Sequence, residues 1–196
     1  MLAQLRPAIV STLFFTLLLG VGYPLLVTGI GHLAFPTQAA GSLIHDARGQ
    51  VIGSALLAQN FTQAKYLHPR PSAAGADGYD ASGSSGSNLG PLNPDLAKRV
   101  ADSTAALQPE GAGAVPADAV TTSGSGLDPD VSPANANRQA ARVAAARGIE
   151  IGKVQAIVTA HIQAPWLGIF GQPRVNVLQT NLALDAAFPA EHPKGR

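Results

Sequence analysis

The longest hydrophobic stretch of the chain runs from Ala8 to Ile30 and contains no charged residue. A helix rises about 1.5 Å per residue, so this stretch would extend about 34 Å and cross a hydrocarbon core of about 30 Å. It is longer than the apolar part of a secretory signal peptide, about 7–15 residues, and no Ala-x-Ala cleavage site follows it. We therefore predict an uncleaved transmembrane helix over residues 8–30 rather than a cleaved signal peptide.

Small residues recur at every fourth position of this helix and share one face: Ala8, Thr12, Thr16 and Gly20. Such a face lets the backbone of another membrane helix approach closely, so we expect it to pack against a partner. The alternative is that the row arises by chance, because small residues are common in membrane helices. Pro24 removes a backbone donor and is expected to kink the second half of the helix.

The basic residues beside the helix predict its orientation. Arg6 precedes the helix, and the next Lys or Arg after it is Arg48. The positive-inside rule then places residues 1–7 in the cytoplasm and the large domain after the helix on the outer side of the membrane.

After the helix, hydrophobic positions come in short groups. We assign residues 31–41 to an exit segment, 42–188 to one soluble domain and 189–196 to a polar tail. Short strands are expected at 42–44 and 50–57, on either side of a polar turn.

The loop over residues 68–94 has little periodic hydrophobicity, and composition alone would allow disorder. Its Asn and Pro residues lie at positions typical of specific turns, so we predict that the loop is ordered in the assembled complex. A helix should follow from the cap Asn93 to about Leu107, and another should begin at the cap Ser132 and end at Gly148. A third helix is expected over Ile151–Ile162, where apolar residues follow a helical period.

The segment Arg174–Asp185 is predicted to be the clearest strand. Its alternation changes parity between Val175/Val177 and Leu182/Leu184, so we expect a bulge or tight turn near Gln179–Thr180. The fold class is therefore one N-terminal transmembrane helix plus a single compact α/β (α+β) domain.

Composition removes several classes of function. Charged residues make up 13% of the chain and the net charge is +1, so no basic surface for nucleic acid is expected. There is no cysteine, and the five histidines lack metal-ligand spacing. The segment 148–153 resembles a phosphate-binding loop but is one residue too short and lacks the Ser or Thr after its lysine. We predict no metal site.

Three polar clusters remain, at residues 66–74, 86–93 and 123–129. Each combines glycines with hydroxyl or amide side chains that can bond to the backbone. Loops of this kind can bind anions on their N–H groups, or they can be tight loops that satisfy themselves. The residues alone favour the second interpretation.

These clusters, in this order after one N-terminal membrane helix, resemble the C subunit of the Kdp potassium-transporting ATPase family. The resemblance covers nearly the whole chain and rests on five ordered segments: Leu67–Ala73, Ser84–Pro91, Thr121–Pro129, Gln139–Gly148 and Arg174–Asp185. Three positions depart from the family pattern, namely Leu67 for an aromatic residue, Ser85 for Gly and Asp130 for His. The last change puts in doubt any role of that imidazole.

The resemblance implies a non-catalytic subunit in the bacterial inner membrane. Its partners would be a channel-like potassium-binding subunit and a P-type ATPase subunit, together with membrane lipid. The subunit would support the complex and raise the ATP affinity of the ATPase subunit, with no cofactor of its own. Gln139 lies in the helix that the family links to ATP. The other family-motif residues are His68, Arg70, Pro71, Ser72, Ser87, Asn88, Leu89, Gly90, Pro91, Asn93, Ser123, Gly124, Ser125, Gly126, Leu127, Asp128, Pro129, Arg174, Asn176 and Asn181.

Two other functions compete with this one. The first is a membrane-anchored extracytoplasmic hydrolase that uses Ser123 or Ser125 with His68 and Asp128. The second is an anchored binding protein with no fixed partner. If the domain lies outside, Gln139 cannot touch cytoplasmic ATP, and any effect on ATP affinity would have to be allosteric. We favour the accessory subunit with an outer domain.

Overall fold

The computed structural model describes residues 2–111 and 113–189. Its helices are α1 Leu5–Leu17, α2 Tyr23–Ala34, α3 Pro36–Ala39, α4 Pro94–Leu107, α5 Ala117–Val120, α6 Pro133–Arg147, α7 Ile151–Ala160 and α8 Val177–Ala187. Its strands are β1 Leu43–His45, β2 Val51–Ser54, β3 Asp130–Val131, β4 Ile162–Gln163 and β5 Arg174–Asn176. Short 3-10 turns cover Leu2–Gln4 and Gln108–Glu110.

The chain divides into two compact units, Met1–Ile52 and Gly53–Arg196. This boundary falls inside β2, eleven residues after the domain start predicted at residue 42. The predicted tail lies outside the described residues from position 190 onward.

The first unit contains one long apolar helix over Leu5–Ala34, which has the length and composition to cross a membrane. It extends the predicted span of 8–30 at both ends. A π-helical turn, Leu18–Gly22, joins α1 to α2, and the Tyr23 N–H donates to the carbonyl of Leu18. Only Tyr23 separates this turn from Pro24, whose ring nitrogen has no proton to donate. Prolines and π-bulges are the usual causes of helix kinks.

A hairpin of β1 and β2 follows the helix. The Asp46 Oδ1 accepts the N–H groups of Arg48 and Gln50, each at 2.8 Å, and so closes the turn. The two strands and the polar turn between them were predicted, but the second strand ends at Ser54 rather than at residue 57.

The core of the second unit is formed by α6, α7 and α8 with an antiparallel sheet of order β3-β5-β4. Val175 in the central strand is paired with Val131 on one side and Ile162 on the other. The buried apolar cluster consists of Leu67, Val131, Ala136, Ala140, Val143, Ala144, Val154, Val158, Val175, Val177 and Leu184.

The strand predicted over Arg174–Asp185 is wrong beyond Asn176. The Asn176 Oδ1 accepts the N–H of Gln179 at 3.0 Å and caps α8, so the chain turns from strand to helix at Val177. The parity change near Gln179–Thr180 therefore marks a helical period and not a bulge. The buried residues of α8 are Val177, Leu178, Thr180, Asn181 and Leu184, a helical spacing.

Local capping signals gave accurate boundaries elsewhere. The Asn93 side chain accepts the Asp95 N–H at the start of α4, and the Ser132 hydroxyl accepts the Asn135 N–H at the start of α6. Gly148 ends α6 with φ +65°, a left-handed conformation that glycine adopts without steric cost. The helix predicted to reach Ile162 ends at Ala160, because Ile162 joins the sheet as part of β4.

Candidate functional site

The backbone of Leu67 and His68 lies between two side-chain amides from different helices. The Asn181 amide of α8 accepts the Leu67 N–H at 2.8 Å and donates to the Leu67 carbonyl at 2.9 Å. The Gln139 amide of α6 accepts the His68 N–H at 2.7 Å and donates to the His68 carbonyl at 3.1 Å. Two amides thus pair with this extended segment as neighbouring strands would, and we call them the amide pair.

Every hydrogen-bonding position of the Gln139 amide is filled by protein groups. Its Oε1 also accepts from Arg142 Nη2 at 2.6 Å, and its Nε2 also donates to Asn135 Oδ1 at 3.0 Å. An amide oxygen accepts two bonds and an amide nitrogen donates two, so no capacity is left for a ligand in this conformation. The structure places Gln139 among groups that hold the 66–74 cluster.

A small cavity of about 50 Å³ lies beside this cluster, lined in part by His68, Glu110, Asn135 and Gln139. It has room for one or two water molecules, whereas sites for drug-sized ligands measure about 300–1,000 Å³. The His68 ring is within 3.1 Å of the Gln63 carbonyl and 3.2 Å of Arg142 Nη1. Burial and the Arg142 cation lower the pKa of His68.

Arg70 joins the first polar cluster to the third. Its Nη1 forms an ion pair with Asp128 at 2.8 Å, and its Nη2 donates to the carbonyls of Thr121 and Thr122. The Tyr79 hydroxyl donates to the Arg70 carbonyl at 2.7 Å, and burial raises the pKa of Tyr79. Pro71 lies between Arg70 and Ser72 in this segment.

Ser72 is the second link between these clusters. Its hydroxyl donates to the Gly126 carbonyl at 2.6 Å and accepts the N–H groups of Ala74 and Tyr79. Gly126 has φ +66°, and a Cβ there would lie 2.6 Å from the Ser85 carbonyl oxygen and 2.7 Å from the Ala74 nitrogen. Only glycine fits where the three loops meet.

Ser84 and Ser85, which directly precede the second cluster, contact the third cluster. The Ser85 N–H and the Ser84 hydroxyl both donate to the Ser125 carbonyl, at 2.9 and 3.1 Å. The loop 68–94 is therefore held to the third cluster through Arg70, Ser72, Ser84 and Ser85, while Leu92 near its end is exposed. Asn88 has φ +53°, a conformation that Asn tolerates better than most residues. The remaining predicted residues here are Ser87, which accepts from Arg99 at 3.5 Å, and Leu89, Gly90, Pro91 and the cap Asn93.

The serine hydroxyls of the third cluster are used for turns. Ser123 Oγ accepts the Gly126 N–H at 2.8 Å, and Ser125 Oγ accepts the Leu127 N–H at 3.1 Å. Among the described residues, no hydrogen bond joins Ser123 or Ser125 to His68, whose ring contacts Arg142, while Asp128 pairs with Arg70. The hydrolase hypothesis needs a serine bonded to its base, and these residues are not arranged in that way. Gly124 and Pro129 complete the loop.

Arg174 and Asn176 of the central strand β5 form a polar group with Asp130 of the neighbouring strand β3. Asp130 pairs with Arg174 at 3.0 Å and accepts from Asn176 Nδ2 at 3.2 Å. Burial raises the pKa of Asp130 in spite of the Arg174 cation. The carboxylate that replaces the family's usual imidazole thus has a cationic partner of its own.

Three of the four small residues predicted to share a face of the membrane helix lie along one groove, and Ala8 is not among the residues that line it. Thr12, Thr16 and Gly20 line a shallow groove together with Ser11, Phe15 and Leu19. A Cβ on Gly20 would meet only the Thr16 methyl, at 4.0 Å, so the chain itself does not require a glycine there. Whether a partner fills the groove stays a prediction. Over residues 2–111 and 113–189, no three His, Asp or Glu side chains are grouped as metal ligands would be.

Sequence reasoning missed several residues of α6 that help to hold the first cluster. Arg142 donates to the carbonyls of Ala64 and Tyr66 and pairs with Glu110, and Asn135 is buried against Asp118. A signal existed, because Asn135, Gln139 and Arg142 recur at intervals of four and three residues along a predicted helix and therefore share a face. Polar residues on a face beside buried alanines indicate a buried polar contact.

Comparisons with known proteins agree on one family. The family model described as KdpC, K+-transporting ATPase, c chain, matches residues 5–186. The chain is 62% identical over 196 residues to the potassium-transporting ATPase KdpC subunit of Caulobacter sp. (strain K31), covering all of both chains. It is 62% identical over 190 residues to that of Caulobacter vibrioides (strain NA1000 / CB15N), with 96% of each covered. It is 58% identical to that of Beijerinckia indica subsp. indica, with 98% of each covered.

Proposed function

Since the chain belongs to the KdpC family of K+-transporting ATPase c chains, we propose that it is the accessory subunit of an ATP-driven potassium uptake complex. In this proposal it supports assembly of a channel-like potassium-binding subunit with a P-type ATPase subunit, and it raises the ATP affinity of the latter. Family membership identifies a non-catalytic subunit, so phosphoryl transfer belongs to a partner. The match over residues 5–186, together with one apolar helix over Leu5–Ala34, carries the proposal.

We further propose that the N-terminus is cytoplasmic and that the second unit lies outside the inner membrane. Arg6 before the helix and the absence of Lys or Arg until Arg48 support this orientation. ATP is then on the other side of the bilayer, and the effect on its affinity is a coupling free energy transmitted through contacts with partner subunits. The filled hydrogen-bonding positions of Gln139 and the small size of the neighbouring cavity support an indirect effect.

The function is tested by purifying the complex with and without this chain. We expect omission to lower the recovery of the other subunits together, and to raise the KM for ATP of the potassium-stimulated ATPase in the material that remains. An unchanged yield and an unchanged KM for ATP would overturn the proposal. The isolated full chain in detergent should not bind ATP in calorimetry at millimolar nucleotide, and binding there would refute the indirect effect alone.

The orientation is tested with a single cysteine, because the chain has none of its own. Ala186 is exposed near the end of α8, so Ala186→Cys should react with a membrane-impermeant maleimide in intact spheroplasts. Gln4→Cys, on the other side of the helix, should react only after lysis. The reverse pattern would reverse the orientation.

A further inference from the structure

A tight apolar hairpin protrudes from the second unit between β4 and β5. The Trp166 N–H donates to the Phe170 carbonyl at 2.9 Å, and the Phe170 N–H donates to the Trp166 carbonyl at 3.0 Å. The side chains between these bonds are exposed although they are large and apolar, at 69% for Trp166, 70% for Leu167, 75% for Ile169 and 57% for Phe170. We call Trp166–Phe170 the apolar hairpin.

The backbone of the hairpin is closed on itself. The Gly168 N–H donates to the Pro165 carbonyl at 2.9 Å, and the Ile169 N–H donates to the Trp166 carbonyl at 3.2 Å. No residue from 162 to 173 is Asp, Glu, Lys or Arg. The tip therefore needs no water for its N–H groups at these positions and brings no charge that would have to be desolvated.

Leu167 holds an unusual conformation at the tip of the hairpin. Its φ is +53°, in the left-handed region where bulky residues are rare, and Gly168 follows with φ +77°. A turn of this shape favours Asn, Asp or Gly at its first central position. Leu167 is nevertheless 70% exposed here, and strained residues of this kind concentrate at functional sites.

We propose that the apolar hairpin inserts into the interfacial layer of the same bilayer that holds the helix Leu5–Ala34. The 18 residues between Ala34 and Gly53 can span at most about 65 Å when fully extended, a length that allows the hairpin to reach this bilayer. Tryptophan and other aromatic residues are enriched at headgroup level, and leucine and isoleucine beside them reach the acyl boundary. The inference depends on the membrane helix and not on the proposed effect on ATP.

Size and polarity favour lipid over a protein pocket as the occupant. Two aromatic and two aliphatic side chains with these exposures offer on the order of 500 Å². A stable protein interface takes about 800 Å² from each partner and carries a polar rim with hydrogen bonds. The hairpin has no polar side chain between Trp166 and Phe170. Four such side chains suit a second membrane contact that adds to an existing anchor.

The first experiment uses Trp166, which is the only tryptophan of the chain. The full chain is placed in phosphatidylcholine vesicles whose lipids carry bromine either near the carbonyl end or near the middle of the acyl chain. We expect a blue-shifted emission and stronger quenching by the shallow bromine than by the deep one. Emission typical of water with no quenching by either lipid would overturn the proposal.

A variant and a matched control separate insertion from folding. Ile169→Asp puts a charge on the exposed tip, and we expect it to abolish the blue shift and the quenching while the circular dichroism spectrum is unchanged. Ile151→Asp replaces another exposed isoleucine, outside the hairpin, and should leave both signals as in the parent. Equal quenching in all three proteins would refute the insertion.

The second experiment tests the same point in the assembled complex. Ile169→Cys in this cysteine-free chain is labelled with a nitroxide before the complex is reconstituted, with Ala101→Cys as an exposed comparison position. A label at position 169 that is accessible to oxygen but not to a polar nickel reagent supports insertion in lipid. An immobile label that neither reagent reaches would show a protein pocket, and a label that the nickel reagent reaches would show water. Either of these results overturns the proposal.

Discussion

The membrane helix and the segment 66–94, which joins the first polar cluster to the rest of the loop 68–94, differ in where their side chains and backbone find partners. We call this segment the loop below. Between Leu5 and Ala34 the large side chains other than Arg6, Tyr23 and His32 are apolar, and the structure records no buried residue in this helix. The loop is rich in polar side chains, yet its backbone at Leu67 is buried and bonded to the amide pair. The apolar side chains of the helix therefore find their contacts outside the chain, whereas the polar groups of the loop find theirs within it.

This difference separates two kinds of defect. Substitutions in the loop and its amide pair should lower the free energy of unfolding of the second unit. Substitutions on the helix should leave that free energy unchanged and affect only association in the membrane. The following predictions test this separation, and they are given in order of decreasing expected effect.

Asn181→Ala should be the most destabilising change. It leaves the N–H and the carbonyl of Leu67 without partners in a buried environment, and each such group costs about 1–3 kcal/mol. We expect the free energy of unfolding to fall by about 4 kcal/mol in urea denaturation followed by circular dichroism in mild detergent. Gln155→Ala on an exposed position of α7 is the control, with a change within about 0.5 kcal/mol. A similar small loss for Asn181→Ala would show that the amide pair does not hold the loop.

Gly126→Ala should be the next largest. The added Cβ would meet the backbone of Ser85 and Ala74 at 2.6 and 2.7 Å, and the left-handed φ of +66° adds its own cost. We expect a loss of about 3 kcal/mol in the same measurement. Gly124→Ala is a matched control two residues away, because its Cβ would meet nothing within 4 Å. Equal effects at the two glycines would contradict the close approach of the loops.

Gly20→Leu should affect the membrane helix and not the stability of the second unit. It fills the groove beside Thr16 and should weaken packing with a partner helix by about 1–3 kcal/mol, so that less complex is recovered and potassium-dependent growth slows. The urea transition of the second unit should not move. Leu18→Ala, which lies on the opposite side of the helix, is the control and should be nearly silent. Normal assembly of Gly20→Leu would make the row of small residues incidental.

The smallest expected effect is a pH dependence of the free energy of unfolding that arises from His68. Burial and the Arg142 cation lower its pKa in the folded state, so the unfolded chain binds more protons below the ordinary value of about 6.5. Stability should therefore fall as pH decreases from about 6.5 toward the lower folded value. Asp130 has a raised pKa and acts in the opposite sense, so parent and variant must be compared directly. His68→Asn should flatten the slope, and an identical slope in both proteins would exclude His68 as its source.

The sequence by itself determined the elements whose causes are local. A charge-free run long enough to cross a bilayer marks the membrane helix. Asn93, Ser132 and Gly148 fix the ends of α4 and α6, because a cap bonds to residues two to four positions away. The family resemblance also followed from ordered local motifs, and the comparisons confirm it.

Only the tertiary structure decided what depends on distant residues. The alternation in Arg174–Asp185 predicted a strand, whereas the burial of Leu178, Asn181 and Leu184 in the second unit belongs to a helix that begins at Val177. Asn181 meets Leu67 across 114 positions and Gln139 meets His68 across 71. No local pattern records such pairs, because a buried backbone group requires a partner but does not specify which part of the chain supplies it.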